Sequence, residues 1–290
     1  MKKIFIVFIL SLFLSPLFAQ EEAQAQEKSQ PVRFTFSTEV LIENQTVATP
    51  YKGGLELQIQ HRFGLIENIH NLYGIYGAAN TRIGLNYGIT DRLMIGAGTE
   101  KDNKLQDINW KYLILQQTED NSMPVSLSYF GNMVIDARAE ENFGPSGDFK
   151  QIHRLSYFTQ LIVARKFSEK ISAQIAPSFM YMNTVKRYSD EVGYKNMNFG
   201  LHAGARANLF GNHSLMLEYD QLLTKQDTGE ELEQPRPNLA IGWEIGTATH
   251  SFQVFASNYK ALNNQYNLLY NTNDFAKGDY MFGFNITVRF

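Results

Sequence analysis

The stretch Tyr280-Met281-Phe282-Gly283-Phe284-Asn285-Ile286-Thr287-Val288-Arg289-Phe290 decides the fold class. Tyr280, Phe282, Phe284, Ile286, Val288 and Phe290 are apolar, and every residue between them falls on the opposite side of a pleated strand. A strand of about ten residues with aromatics at both ends of its apolar face suits a membrane-spanning barrel. A soluble sandwich can also end on an amphipathic strand, so the rest of the chain has to separate the two.

Working backwards from that strand, alternation and turn chemistry predict eleven more, at about 54–62, 79–88, 92–100, 105–116, 124–136, 151–166, 171–183, 195–209, 213–221, 237–246 and 250–259. Their connections alternate. Thr90-Asp91, Phe167-Ser168-Glu169, Phe210-Gly211-Asn212 and Thr247-Ala248-Thr249 are tight, and 117–123 is a little longer. The intervening links 64–78, 137–150, 184–194, 222–236 and 261–278 are long, with 101–104 the one short exception. An up-and-down antiparallel barrel gives this pattern, with short turns in the periplasm and long loops outside. The expected fold is therefore all-β, a transmembrane barrel of about twelve strands. Fourteen is the alternative if residues 31–52 add a pair, because Phe34, Phe36, Thr38 and Val40 also alternate.

The faces agree with a barrel turned outward to lipid. One face is rich in Leu, Ile, Tyr, Trp and Phe, as lipid-interface girdles are. The other carries Glu56, Arg62, Arg82, Asp107, Lys111, Arg154, His202, Arg206, Glu218, Asp220, Glu244 and Arg289. These twelve are the candidate lumen-lining residues. Charges of both signs on one enclosed face read either as a selectivity lining or as a lattice of ion pairs filling a closed barrel. Twelve strands lie between small packed barrels and open porins of ~16 strands, so size leaves both readings standing.

The amino terminus begins Met1-Lys2-Lys3 and continues apolar from Ile4 to Ala19, the pattern of a secretory signal peptide over 1–19. Residues 20–52 are expected to be a periplasmic leader with an extra strand or a plug segment, and 53–290 the barrel. The chain has 26 basic and 29 acidic residues; without Lys2 and Lys3 the balance is 24 against 29, or −5, which offers nucleic acid no platform. There are no cysteines, hence no disulfide, thiolate metal site or acylation cysteine. After Ala19 no apolar run approaches the ~18 residues of a membrane helix.

No phosphate-binding loop, zinc-protease, calcium-loop or nucleophile-elbow motif is present, and the six histidines are scattered, so neither cofactor nor metal is expected. His61 falls on the lipid face near the outer rim, where a lipid esterase would place its base. The residue two positions on is Phe63 rather than a serine, which favours a packing role.

His61-Arg62-Phe63-Gly64, Tyr87-Gly88-Ile89-Thr90-Asp91-Arg92-Leu93 and Lys111-Tyr112 with Gln116 resemble an uncharacterised family of bacterial outer-membrane-type β-barrel proteins, a domain of unknown function. The likeness runs from about Thr35 to Phe290. It implies the fold and the outer membrane and carries no activity. The leading expectation is thus a non-enzymatic passive channel or uptake pore for a small solute of unknown identity. A non-conducting structural or partner-binding barrel with a packed lumen is the alternative, and a rim esterase at His61 a distant third. Expected partners are outer-membrane lipid and the barrel-assembly machinery, which would read Tyr280, Phe282, Phe284, Ile286, Val288 and Phe290 as the assembly signal.

Overall fold

The computed structural model describes residues 29–144 and 148–290. The expected signal peptide lies outside the described residues. Twelve strands form one closed sheet: β1 (Leu55–Leu65), β2 (Asn80–Thr90), β3 (Leu93–Glu100), β4 (Leu105–Leu115), β5 (Ser126–Asp136), β6 (Leu155–Lys166), β7 (Ile171–Met182), β8 (Met197–Phe210), β9 (His213–Leu222), β10 (Asn238–Gly246), β11 (His250–Ser257) and β12 (Met281–Arg289). Each strand pairs antiparallel with its chain neighbours, and β12 returns to β1 with Ile286 opposite Ile59 and Arg289 opposite Glu56. The seam is finished by backbone bonds in both directions between Leu55 and Phe290. A closed ladder leaves no sheet edge, the condition for burying backbone in hydrocarbon. An eleven-residue strand rising ~3.3 Å per residue and tilted ~45° spans ~26 Å, close to the height of a barrel's apolar band.

The alternation expected from the sequence holds around the wall. In β4, Leu105, Asp107, Asn109, Lys111 and Leu113 are shielded inside, while Ile108, Trp110 and Tyr112 face outward. Where an outward aromatic meets an unprotected backbone it covers it: the Trp110 ring lies over Gly131, its partner in the ladder. The Gly96-Ala97-Gly98 segment serves close approach from inside, since the Arg82 guanidinium lies across Gly84 and Gly98, and Asn86 occupies the space above Gly96.

Residues 31–52 add no strand, and the barrel has twelve rather than fourteen. Their alternation reflects packing of another kind. Pro31 bridges Thr118 at the β4–β5 turn, and the chain then runs up the lumen. Glu39 and Thr46 close a hairpin through Thr46 N–H and the Glu39 carbonyl, Leu41 N–H reaches the Asn44 carbonyl, and Val40 bridges Gln45. The hairpin then returns to the side it came from, where Lys52 N–H meets Asp91 and the Tyr51 hydroxyl meets the Phe290 carbonyl. Gly88 is required there, because the Tyr51 carbonyl oxygen fills the space a Cβ would need.

The opposite mouth is filled from the β11–β12 loop. This loop contains the helix α1 (Asn264–Tyr270), of which Gln265, Leu268 and Leu269 are buried. Leu268 packs against Gly200 on β8, and Gln265 reaches Asn132 and Ser156 on the wall. The barrel interior therefore has an apolar core. Phe36, Leu41 and Ile42 of the hairpin and Leu268 and Leu269 of α1 join inward Leu105, Phe130, Val134, Phe158, Ile162, Met180, Met216 and Phe255.

Candidate functional site

The hairpin tip is held by the lumen wall, and the centre of that hold is Glu218. Its carboxylate accepts the backbone N–H groups of Ile42 (2.8 Å), Glu43 (3.1 Å) and Asn44 (2.8 Å), three consecutive donors converging on one anion. Its second oxygen accepts the Tyr259 hydroxyl at 2.8 Å, from the segment just past β11. Glu218 thus touches both closures of the barrel, the hairpin and the outer loop. Hydrogen bonds to a charged acceptor contribute ~1.5–3 kcal/mol each.

Around this point other wall residues grip the hairpin through its carbonyls and side chains. Arg62 pairs with Glu43 at 3.0 Å, donates to the Ile42 carbonyl and to Asn285, and lies over the Phe255 ring. Lys111 donates to the Glu39 and Ala48 carbonyls, one on each leg of the hairpin. Glu244 accepts from Ser37 and from Arg206 (2.8 Å), while Arg289 bridges Glu56 at 3.2 Å and the Ser37 carbonyl at 2.6 Å. Arg82 makes a two-pronged pair with Asp107, at 2.8 and 2.7 Å, within the wall itself.

Asn44 is clamped by Asp220 and His202. Its amide nitrogen donates to Asp220 at 2.7 Å, and its oxygen faces His202 Nδ1 at 2.9 Å. That nitrogen also meets Asp220 at 3.0 Å, and Nε2 lies 2.9 Å from Ser178 Oγ. With two acceptors at Nδ1, that nitrogen donates. The row Ser178–His202–Asp220 has the order of a charge-relay set. It is capped by Asn44 and by Leu268 beside Gly200, and none of its three members lines the cavity described below. Its visible work is to hold the tip.

Eleven of the twelve candidate residues thus lie together in the barrel interior. The twelfth, Arg154, stands at the outer mouth, where it donates to the carbonyls of Asp136 and Arg138 and lies over the rings of Phe143 and Phe149. His61 is on the outer face, bonded to Thr81 at 2.8 Å and stacked on Phe284 with centroids 5.0 Å apart. No carboxylate or amide orients its ring among the described residues, and it packs as an interface side chain. Sequence reasoning missed Ile42, Glu43 and Asn44, Tyr259 and the whole of α1. Two signals pointed to them: the apolar run Val40-Leu41-Ile42 inside a polar leader, and apolar residues such as Phe130, Phe158 and Met216 at inward positions.

A cavity of about 480 Å³ opens at the outer mouth beside α1. Tyr266 and Tyr270 of that helix line it, and burial pushes the Tyr270 hydroxyl up to about 12, so both rings stay neutral there.

Residues 36–290 match the family described as a membrane-bound β-barrel domain (DUF5777). The chain belongs to this family. No curated protein matches it by sequence. Among solved structures, the NanC porin superposes with a TM-score of 0.50 at 9% identity, over 81% of this chain and 98% of that one. The KdgM porin gives 0.48 at 5% identity, over 82% and 99%. Outer membrane phospholipase A from Escherichia coli gives 0.43 at 11% identity, over 89% and 98%. At these identities the likeness concerns the fold alone. The DUF5777 barrel accordingly sits in the bacterial outer membrane, its apolar band in lipid.

Proposed function

We propose that this DUF5777 barrel is an outer-membrane channel for small solutes that is closed at rest by its own N-terminal hairpin. The observation that carries this reading is the way the hairpin is attached. Glu218, Arg62, Lys111 and Asp220 hold residues 39–48 through side chains, and no ladder bond joins that segment to the sheet. β1 and β12 close the barrel without it. The hairpin can therefore withdraw into the periplasm while every strand pair stays intact, and the wall it uncovers carries Arg62, Lys111, Glu218 and Asp220 among apolar side chains such as Phe158 and Met216.

The apolar core shared by Leu41, Ile42, Phe158 and Leu268 favours a second reading, a permanently filled barrel whose loops are the working surface. Thiol labelling measures the occupancy that both require. The chain has no cysteine, so an Ile42→Cys variant carries a single reporter. Ile42 is wholly shielded, and the exposed Tyr51→Cys serves as control. In proteoliposomes a water-soluble maleimide should label position 51 rapidly and position 42 slowly. Equal rates would contradict a lumen closed by the hairpin. Full protection at 42 over hours would favour the permanently filled barrel.

A further inference from the structure

The wall holds the hairpin chiefly by its main chain. Six hairpin carbonyls accept from inward side chains. Ser37 accepts from Arg289, Glu39 and Ala48 both from Lys111, and Val40 from Gln253 at 3.2 Å. Ile42 accepts from Arg62 and from Asn285 (2.7 Å), and Gln45 from Gln174 (2.8 Å). Three N–H groups, those of Ile42, Glu43 and Asn44, donate to Glu218. These wall residues come from β1, β4, β7, β9, β11 and β12, so the grip runs around the lumen. Inside the hairpin two main-chain bonds, Thr46 N–H to Glu39 and Leu41 N–H to Asn44, join its legs.

What the wall meets is therefore in large part common to any polypeptide. Every residue carries a carbonyl, and every residue but proline an N–H, whatever its side chain. The selective contacts are fewer: Glu43 with Arg62, Glu39 with Asn86 and Asn44 with Asp220. Phe36, Leu41 and Ile42 enter the apolar core with Phe130, Phe158 and Met216, so the same lumen also takes apolar side chains. When the hairpin withdraws, Lys111 loses both of its acceptors, and Glu218 loses three donors while the Tyr259 hydroxyl stays. A solute that supplies strong acceptors, strong donors and apolar side groups along one chain replaces those bonds.

We propose that the solutes of this channel are oligopeptides, and that the hairpin occupies the lumen at rest as an internal stand-in for them. Lys111, Arg62, Gln253 and Asn285 take the carbonyls of the incoming peptide, Glu218 takes its N–H groups or its terminal ammonium, and the apolar arc around Phe130 and Phe158 takes its apolar side chains. Contacts of this kind tolerate many sequences. The inference deepens the uptake reading and rests on it, because the wall becomes free only where the hairpin leaves.

Competition on the full-length Ile42→Cys protein in detergent micelles, where both mouths are reachable, tests it. A peptide seated in the lumen keeps the hairpin out and exposes position 42 to maleimide. The probes are a synthetic peptide with the sequence of residues 36–48, a scrambled peptide of the same composition, the scrambled peptide N-methylated at alternate residues, and maltoheptaose. The tethered hairpin competes at an effective concentration on the order of millimolar, so the probes are titrated through that range. Both unmethylated peptides should speed labelling saturably, by at least about tenfold. The methylated peptide, short of N–H donors, should need at least about tenfold more, and maltoheptaose should have no effect. Acceleration by the 36–48 sequence alone would make the wall a seat for this segment only and overturn the proposal. Equal action of maltoheptaose or of the methylated peptide, or no acceleration by any peptide, would overturn it too. If position 42 labels as fast as position 51 with no peptide present, the closure itself has failed. The anisotropy of a fluorescein-tagged scrambled peptide then decides peptide recognition by itself, saturable binding supporting it and no binding overturning it.

Discussion

The Glu218 carboxylate on β9 accepts the backbone N–H of Asn44 at 2.8 Å, and through that contact a strand of the wall holds the tip of the chain's own N-terminal hairpin. Ile42 and Glu43 donate to the same group, and Tyr259 donates from the outer side. Glu218→Ala leaves three consecutive buried N–H groups without an acceptor, each worth ~1–3 kcal/mol. The expected result is a barrel that still forms but unfolds at a lower temperature, with residues 29–52 cleaved rapidly by protease. Cleavage and melting like the parent's would remove Glu218 from the centre of the closure.

Arg62 and Glu43 form a fully buried pair at 3.0 Å. Removing one partner strands the other charge in a shielded interior. Arg62→Met alone should therefore cost ~3–5 kcal/mol, and adding Glu43→Leu should recover much of it. A double-mutant cycle by chemical denaturation reads the coupling. Additive losses would mean that the two side chains act independently.

Gly88 leaves room for the Tyr51 carbonyl oxygen at the point where the hairpin rejoins β1. Gly88→Ala forces that backbone away while the β1–β2 and β2–β3 ladders persist. Trypsin should then cut after the exposed Lys52 faster than in the parent, with the rest of the barrel resistant. An unchanged cutting rate would show that the stem is not anchored at Gly88.

The same registers show how far the sequence could be read. The twelve strands were legible because lipid outside and a shielded lumen inside impose a period of two on every strand, and the end of β12 states it most plainly. The largest boundary error is at β6. The sequence suggests a start at 151, but Gln151–Arg154 forms a 3-10 turn that tilts Arg154 into the mouth. The contents of the lumen were not legible. Inward positions mix Lys111 with Phe130 and Glu218 with Met216, a pattern shared by a wet pore and a packed interior. Only the fold shows that Leu41, Ile42 and Leu268 come from distant parts of the chain to meet them. The hairpin tip carried no motif, because its hold on Glu218 is made by backbone N–H groups, which every residue but proline possesses.

Phe290 supplies two backbone bonds to Leu55 at the seam and the acceptor for the Tyr51 hydroxyl. Its ring continues the outward row of Phe282, Phe284, Ile286 and Val288, the row proposed to be read during assembly. Deleting Phe290 should reduce the folded, heat-modifiable form in outer-membrane fractions severalfold while export to the periplasm continues. Normal insertion without Phe290 would count against the proposed signal.

Unit conductance in planar bilayers tests the closure most directly. The full chain should show no sustained open level, because the hairpin fills the inner half of the lumen and Glu218 joins it to the outer loop. A variant lacking residues 30–49 keeps every strand pair and retains the cavity of about 480 Å³ beside α1 as a path outward, and it should give discrete open steps. A full chain that conducts as steadily as that variant would contradict a barrel closed at rest by its own N-terminal segment.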